Sequence, residues 1–157
     1  MQIEREFPAT QTLAPHDPPM LLVDEILESS QMHIVSKMVI NKDNIFYVAG
    51  RGVPSYVGFE IMAQTIAVQD GYNRAKVGLG TKIGFLLGCR KYTVLRDWFV
   101  EGDELIVRAK ALLSEGEMQS FDCTLEDIHG QQLAHGAINV FSPENPEEFI
   151  RQGGSSQ

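Results

Sequence analysis

The period of the apolar positions changes along the chain, and each change marks an element. Between Met32 and Ile40 the apolar Met32, Ile34, Met38 and Ile40 alternate with His33 and Lys37, while Val35 and Val39 make the second face apolar too. This predicts a mostly buried strand, preceded by a short ordered element that starts at the apolar run Met20 to Val23. From Pro54 the period lengthens. Val57, Ile61, Thr65, Val68 and Tyr72 recur at helical spacing, and Phe59, Met62, Ala63 and Ile66 cover much of the remaining surface. A helix apolar nearly all round has to be enclosed. The sequence therefore predicts a core helix opened by Pro54 and Ser55, with Ser55 as N-cap, running to about Arg74 with Gly71 near its end.

Beyond the helix the pattern returns to strands, at Ile83 to Leu95, Glu104 to Leu113, Met118 to Ile128 and Leu133 to Phe141. Their separators, Gly102-Asp103, Ser114 to Glu117 and His129-Gly130, are hairpin turn chemistry. One early strand, one buried helix and an antiparallel meander describe an α+β domain whose sheet wraps around one long central helix. Prolines 8, 15, 18 and 19 block a helix near the start. Residues 1–12 are thus expected to form an arm that runs into a stiff loop, and 143–157, rich in Pro and Glu, a partly flexible tail. The whole of 1–157 reads as a single domain.

Composition narrows the setting. With 43% hydrophobic and 22% charged residues in 157, one ordinary core is expected. Cys89 and Cys123, without a secretory leader, suggest free thiols and a cytoplasmic address. The least charged stretch, Gly52 to Gln69, contains Pro54, Gln64, Gln69 and one acid, and so reads as a buried helix rather than a membrane span. A net charge of −8 disfavours nucleic acid as a partner. The charge is uneven, however: Arg74, Lys76, Lys82, Arg90, Lys91 and Arg96 fall in a segment without an acid, which leaves 7 basic against 21 acidic residues elsewhere, or −14. The segment is either a solvated sheet edge or a docking patch for an anionic partner.

Two residues stand out chemically. Glu60 is the sole charge between Arg51 and Asp70, so folding draws a carboxylate into an apolar helix, where an unpaired ion is costly. Either Gln64, one turn along, satisfies it structurally, or desolvation raises its pKa and makes it a proton donor. His16 sits in the proline-flanked loop and either takes part in chemistry or braces the loop with Asp17. His33 and His135 fall in strands and His129 in a turn, without metal-ligand spacing. Gly58, inside the helix at a cost of about 1 kcal/mol relative to Ala, suggests that a ligand or a neighbouring backbone passes close.

Pro15-His16-Asp17-Pro18-Pro19-Met20-Leu21-Leu22-Val23-Asp24, Pro54 followed by Glu60-Ile61-Met62-Ala63-Gln64, Phe85-Leu86-Leu87-Gly88 and Gly102-Asp103-Glu104-Leu105 stand in one order. Together they resemble the hot-dog fold 3-hydroxyacyl-(acyl carrier protein) dehydratases. That family takes its catalytic histidine from a Gly-His-Phe motif ahead of the helix, whereas Phe46 to Gly52 contains no histidine. Gly84 to Tyr92 is similar to the branch found with aryl-polyene type pathways. The resemblance implies a hot-dog fold and dehydration of carrier-bound 3-hydroxyacyl chains, with His16 as base and Glu60 as acid. Val57, Gly58, Gln64, Phe85 and Gly88 would bind substrate, the amides near Val57 and Gly58 polarising the thioester carbonyl. Lys82, Arg90, Lys91 and Arg96 would dock the acyl carrier protein. It further implies at least a dimer, homomeric or with another hot-dog chain, because paired residues come from different subunits, and no cofactor beyond the pantetheine arm. Two other readings stand beside it: a hot-dog thioesterase using the same acid, and a non-catalytic subunit that completes a partner dehydratase.

Overall fold

In a computed structural model the described residues are 6–14, 20–80, 85–141, 143 and 151. The central helix, α1 (Gly58–Lys76), follows a 3-10 turn at Ser55–Val57. Strands β1 (Glu25–Ser30), β2 (His33–Val39), β4 (Phe85–Val94), β6 (Glu104–Glu115), β7 (Met118–Glu126) and β8 (Gln132–Phe141) form a six-stranded antiparallel sheet in the order β1-β2-β6-β7-β8-β4. Two short strands, β3 (Val53–Pro54) and β5 (Trp98–Phe99), pair separately.

Alternation decides which side of the sheet meets the helix. Leu105, Val107 and Ala109 of β6, Phe121, Cys123 and Leu125 of β7, and Ala134 and Ile138 of β8 are all buried. They pack around Ile61, Met62, Ile66, Val68 and Tyr72 of α1 in one cluster. Ile61 and Met62 are wholly enclosed, and truncating such a residue to alanine costs about 2–5 kcal/mol. The buried hydroxyls are satisfied too: Ser36 and Thr65 share a 2.8 Å hydrogen bond, and Thr65 also donates to the Ile61 carbonyl at 3.0 Å. Cys123 is buried and is not part of a disulfide. No helix among the described residues is long and apolar enough to cross a membrane.

The structure departs from the sequence expectation in several places. Ser55 does not cap α1 through its side chain, because its backbone already belongs to the 3-10 turn; Pro54 precedes that turn, and the Ser55 N–H donates to the Asp97 carbonyl at 3.0 Å. Gly71 does lie near the end of the helix, as expected, and a Cβ there would stand 1.7 Å from the Leu13 carbonyl oxygen. The meander holds for β6, β7 and β8 only. β4 crosses to the far edge and pairs with β8, from Phe85 opposite Phe141 to Val94 opposite Ala134, since period sets which residues face inward but not which strands become neighbours. Finally, β3 and β5, two residues each, are too short to show a period; they meet because Gly52, at φ +117, lets the Phe99 carbonyl approach to 2.2 Å of where a Cβ would be.

Candidate active site

The 3-10 turn and the first turns of α1 border a cavity of about 280 Å³ lined by Met20, Phe46, Tyr56, Val57, Phe59, Glu60 and Gln64. Glu60 is its one carboxylate among these residues. The carboxylate is half-buried, on the side of α1 that faces the cavity, rather than enclosed by the helix packing. Gln64, 1% exposed, touches it: Nε2 donates to Glu60 Oε1 at 3.1 Å and to the Met20 carbonyl at 2.8 Å, while Oε1 accepts from the Leu22 N–H at 2.6 Å. Gln64 was expected to bind substrate. Its amide is instead committed to the protein, where it ties Glu60 to the segment Met20–Leu22.

Val57 is buried and lines the cavity. Gly58 does not play the part expected of it. Its N–H is spent inside the tight turn on the Ser55 carbonyl rather than aimed at a substrate carbonyl. Its missing side chain makes room for neither ligand nor backbone: a Cβ would lie 2.1 Å from Tyr92 Oη and 2.8 Å from Leu125 Cδ1. Tyr92 itself donates to the Ser55 carbonyl at 2.6 Å and packs edge-on against Phe59, with ring centroids 6.5 Å apart. The start of α1 is therefore held from β4.

The other candidates fall as follows. His16 and Lys82 lie outside the described residues, as do the side chains of Phe85 and Arg90. Gly88 sits on β4 opposite Asn139 with open space where a side chain would project. Lys91 is exposed at φ 55, within the bulge between Arg90 and Thr93. Arg96 was expected on a docking rim, but it is paired with Asp103 at 3.4 Å, so its charge is already met within the chain. His33 is shifted down by burial and lies on β2, and His135 pairs with Asp122 at 2.6 Å. Among the described residues no three His, Cys, Asp or Glu side chains cluster as a metal site would require.

Five contributors to the site went unnoticed in the sequence: Met20, Phe46, Tyr56 and Phe59 of the lining, and Tyr92 behind Gly58. Phe46 carried a signal, since it opens the segment in which the resembled family has its histidine. Tyr92 carried one too, as the last residue of the Gly84 to Tyr92 pattern.

A six-stranded sheet around one long helix, with an acid at an apolar cavity beside the helix start, defines a hot-dog domain. Residues 8–151 match the family described as ApeP-like, ApeP dehydratase. The chain belongs to that family. It is 30% identical over 132 residues to the 3-hydroxyacyl-[acyl-carrier-protein] dehydratase FabZ of Streptococcus pyogenes serotype M5 (strain Manfredo), covering 82% of this chain and 91% of that protein. Its fold matches the dehydratase heterocomplex ApeI:P from Xenorhabdus doucetiae with a TM-score of 0.87 and 25% identity, over 96% of this chain and 100% of that one. Thioesterase HI1161 from Haemophilus influenzae shares the fold at a TM-score of 0.64 and 11% identity, over 91% and 95% of the two chains.

Proposed function

We propose that this chain removes water from 3-hydroxyacyl chains carried on an acyl carrier protein, in fatty-acid or aryl-polyene-like biosynthesis, and works in the cytoplasm. One observation carries the reading: an otherwise mostly apolar cavity presents, among its described lining residues, a single carboxylate, Glu60, already oriented by Gln64. Apolar walls suit an acyl chain, and an oriented acid suits proton delivery.

In this reaction a base removes the proton at C2, its electrons form the C2–C3 double bond, and the C3–O bond breaks as Glu60 protonates the departing hydroxyl. His16 is the proposed base within this chain. The carboxylate then needs a proton returned, which the base holds after the first step.

Phe46 favours a second reading, in which the base comes from a partner hot-dog chain. The resembled family keeps a histidine in this segment, and here the cavity wall is an aromatic hydrocarbon. The similarity to one half of a dehydratase heterocomplex supports an assembly of two hot-dog chains. The readings separate on one experiment, turnover by the purified chain alone and together with a candidate partner chain. Dehydration alone supports the self-sufficient enzyme. Dehydration only in the mixture supports the shared site, and hydrolysis of the thioester would replace both with a thioesterase.

A further inference from the structure

The proline- and threonine-rich start of the chain was expected to be an arm, yet its described part is built onto the helix and onto the segment that meets Gln64. Thr10 is 4% exposed, and its hydroxyl donates to the Val23 carbonyl at 2.8 Å, with the Asp24 carbonyl at 3.3 Å. Thr10 in turn opens a 3-10 turn whose carbonyl accepts from Leu13 N–H at 2.9 Å and Ala14 N–H at 3.1 Å. Leu13 and Ala14 are buried, and the Leu13 carbonyl occupies the space left by the missing side chain of Gly71. Further back, Phe7 packs edge-on against Tyr72 at 5.1 Å between ring centroids.

Residues 7–13 thus grip α1 at Gly71 and Tyr72 and hold Val23 from the other side. Val23 is one residue from Leu22, whose N–H is bound by Gln64, and Gln64 holds Glu60. We propose that Thr10 is a positioning residue for Glu60, acting through Val23, the segment Met20–Leu22 and the Gln64 amide. This rests on the reading of Glu60 as the acid. When the hydroxyl is lost, the Val23 carbonyl is left unpaired in a buried place and the segment shifts toward another donor. Gln64 then loses the geometry of two of its three hydrogen bonds, and the carboxylate its fixed direction.

The test uses a short pantetheine-linked 3-hydroxyacyl substrate, so that carrier docking does not enter, with the full chain in its active assembly. Thr10→Val is expected to lower kcat about tenfold or more, since misplacing a reacting group by a fraction of an ångström has effects of this size. KM should stay within about twofold, because the cavity walls other than Met20 are kept. Thr10→Ser, which keeps the donor, should retain wild-type kcat. Should Thr10→Val not fold, Phe7→Ala loosens the same arm without opening the core, and a fall in its kcat at constant KM supports the proposal. A folded Thr10→Val, or in its absence Phe7→Ala, with wild-type kcat overturns it. Equal loss in Thr10→Val and Thr10→Ser overturns it as well, by making the position merely structural. Glu60→Gln, run in parallel, separates the levels: if it leaves the rate unchanged the Glu60 reading falls and this proposal with it, whereas a dead Glu60→Gln beside an active Thr10→Val removes this proposal alone.

Discussion

Gly58 shows how a residue can matter through what it lacks. Its missing Cβ leaves room for Tyr92 Oη, which reaches the Ser55 carbonyl and so clamps the turn that borders the cavity. Gly58→Ala forces the tyrosine away, and overpacking of this kind costs about 1–3 kcal/mol. Tyr92→Phe removes the hydrogen bond alone, at about 1 kcal/mol. Because both substitutions act on one contact, the double variant should lose less than the sum. Denaturant unfolding of the four proteins checks this, and strict additivity would show that the contact does not couple them. The sequence marked Gly58 as anomalous for a helix, but could not say why, since Tyr92 reaches it only through the pairing of β4 with β8. Glu60 was more legible, as a lone acid in an apolar run is visible without any structure. Its partner was legible for the same reason, Gln64 being one helical turn away.

Elements with a long period were read well and short ones poorly. α1 and the cores of β2, β4, β6, β7 and β8 follow from spacing alone, whereas β3 and β5 depend on the approach of Phe99 to Gly52. The β7–β8 turn is a case where sequence chemistry and structure agree. Asp127 accepts hydrogen bonds from the N–H groups of His129 at 2.8 Å and Gln131 at 3.0 Å, with Gly130 at φ 83. The Gln131 N–H, followed by that of His129, holds the Asp127 carboxyl below its ordinary value. A carboxylate whose pKa is lower in the folded than in the unfolded chain adds stability above the unfolded value, and this is lost as pH falls through the folded one. Asp127→Ala should therefore lower the thermal midpoint at neutral pH, and the gap to wild type should close as the pH is taken below the carboxylate range. A gap that stays constant with pH would assign the effect to the turn's backbone rather than to the charge.

For the whole molecule, charge is the property to explain. A protein of net −8 repels an acidic carrier unless the field is reversed locally. Arg96 is neutralised by Asp103, and Arg74 Nε donates to the Gly80 carbonyl at 2.6 Å, so the basic run is partly internal bracing. Lys91, exposed on the edge strand β4, remains suited to docking. Arg90→Glu combined with Lys91→Glu should slow turnover of carrier-bound substrate, chiefly at low salt, and spare the pantetheine-linked analogue. Equal loss on both substrates would place these residues in the cavity or the fold instead. Arg96→Glu should act differently, lowering stability beside Asp103 with little salt dependence of turnover. The sequence located the charge run but not its pairing, because Asp103 approaches Arg96 only once the β5–β6 turn has formed.

The central claim concerns Glu60 and one bond in the substrate. The direct measurement is mass analysis of an acyl carrier protein loaded with a 3-hydroxyacyl chain, after incubation with the protein in its active assembly. The account predicts loss of one water from the acyl chain, with the rate falling about a hundredfold or more in a folded Glu60→Gln variant. Release of the whole acyl group, or dehydration that proceeds unchanged in Glu60→Gln, would contradict it.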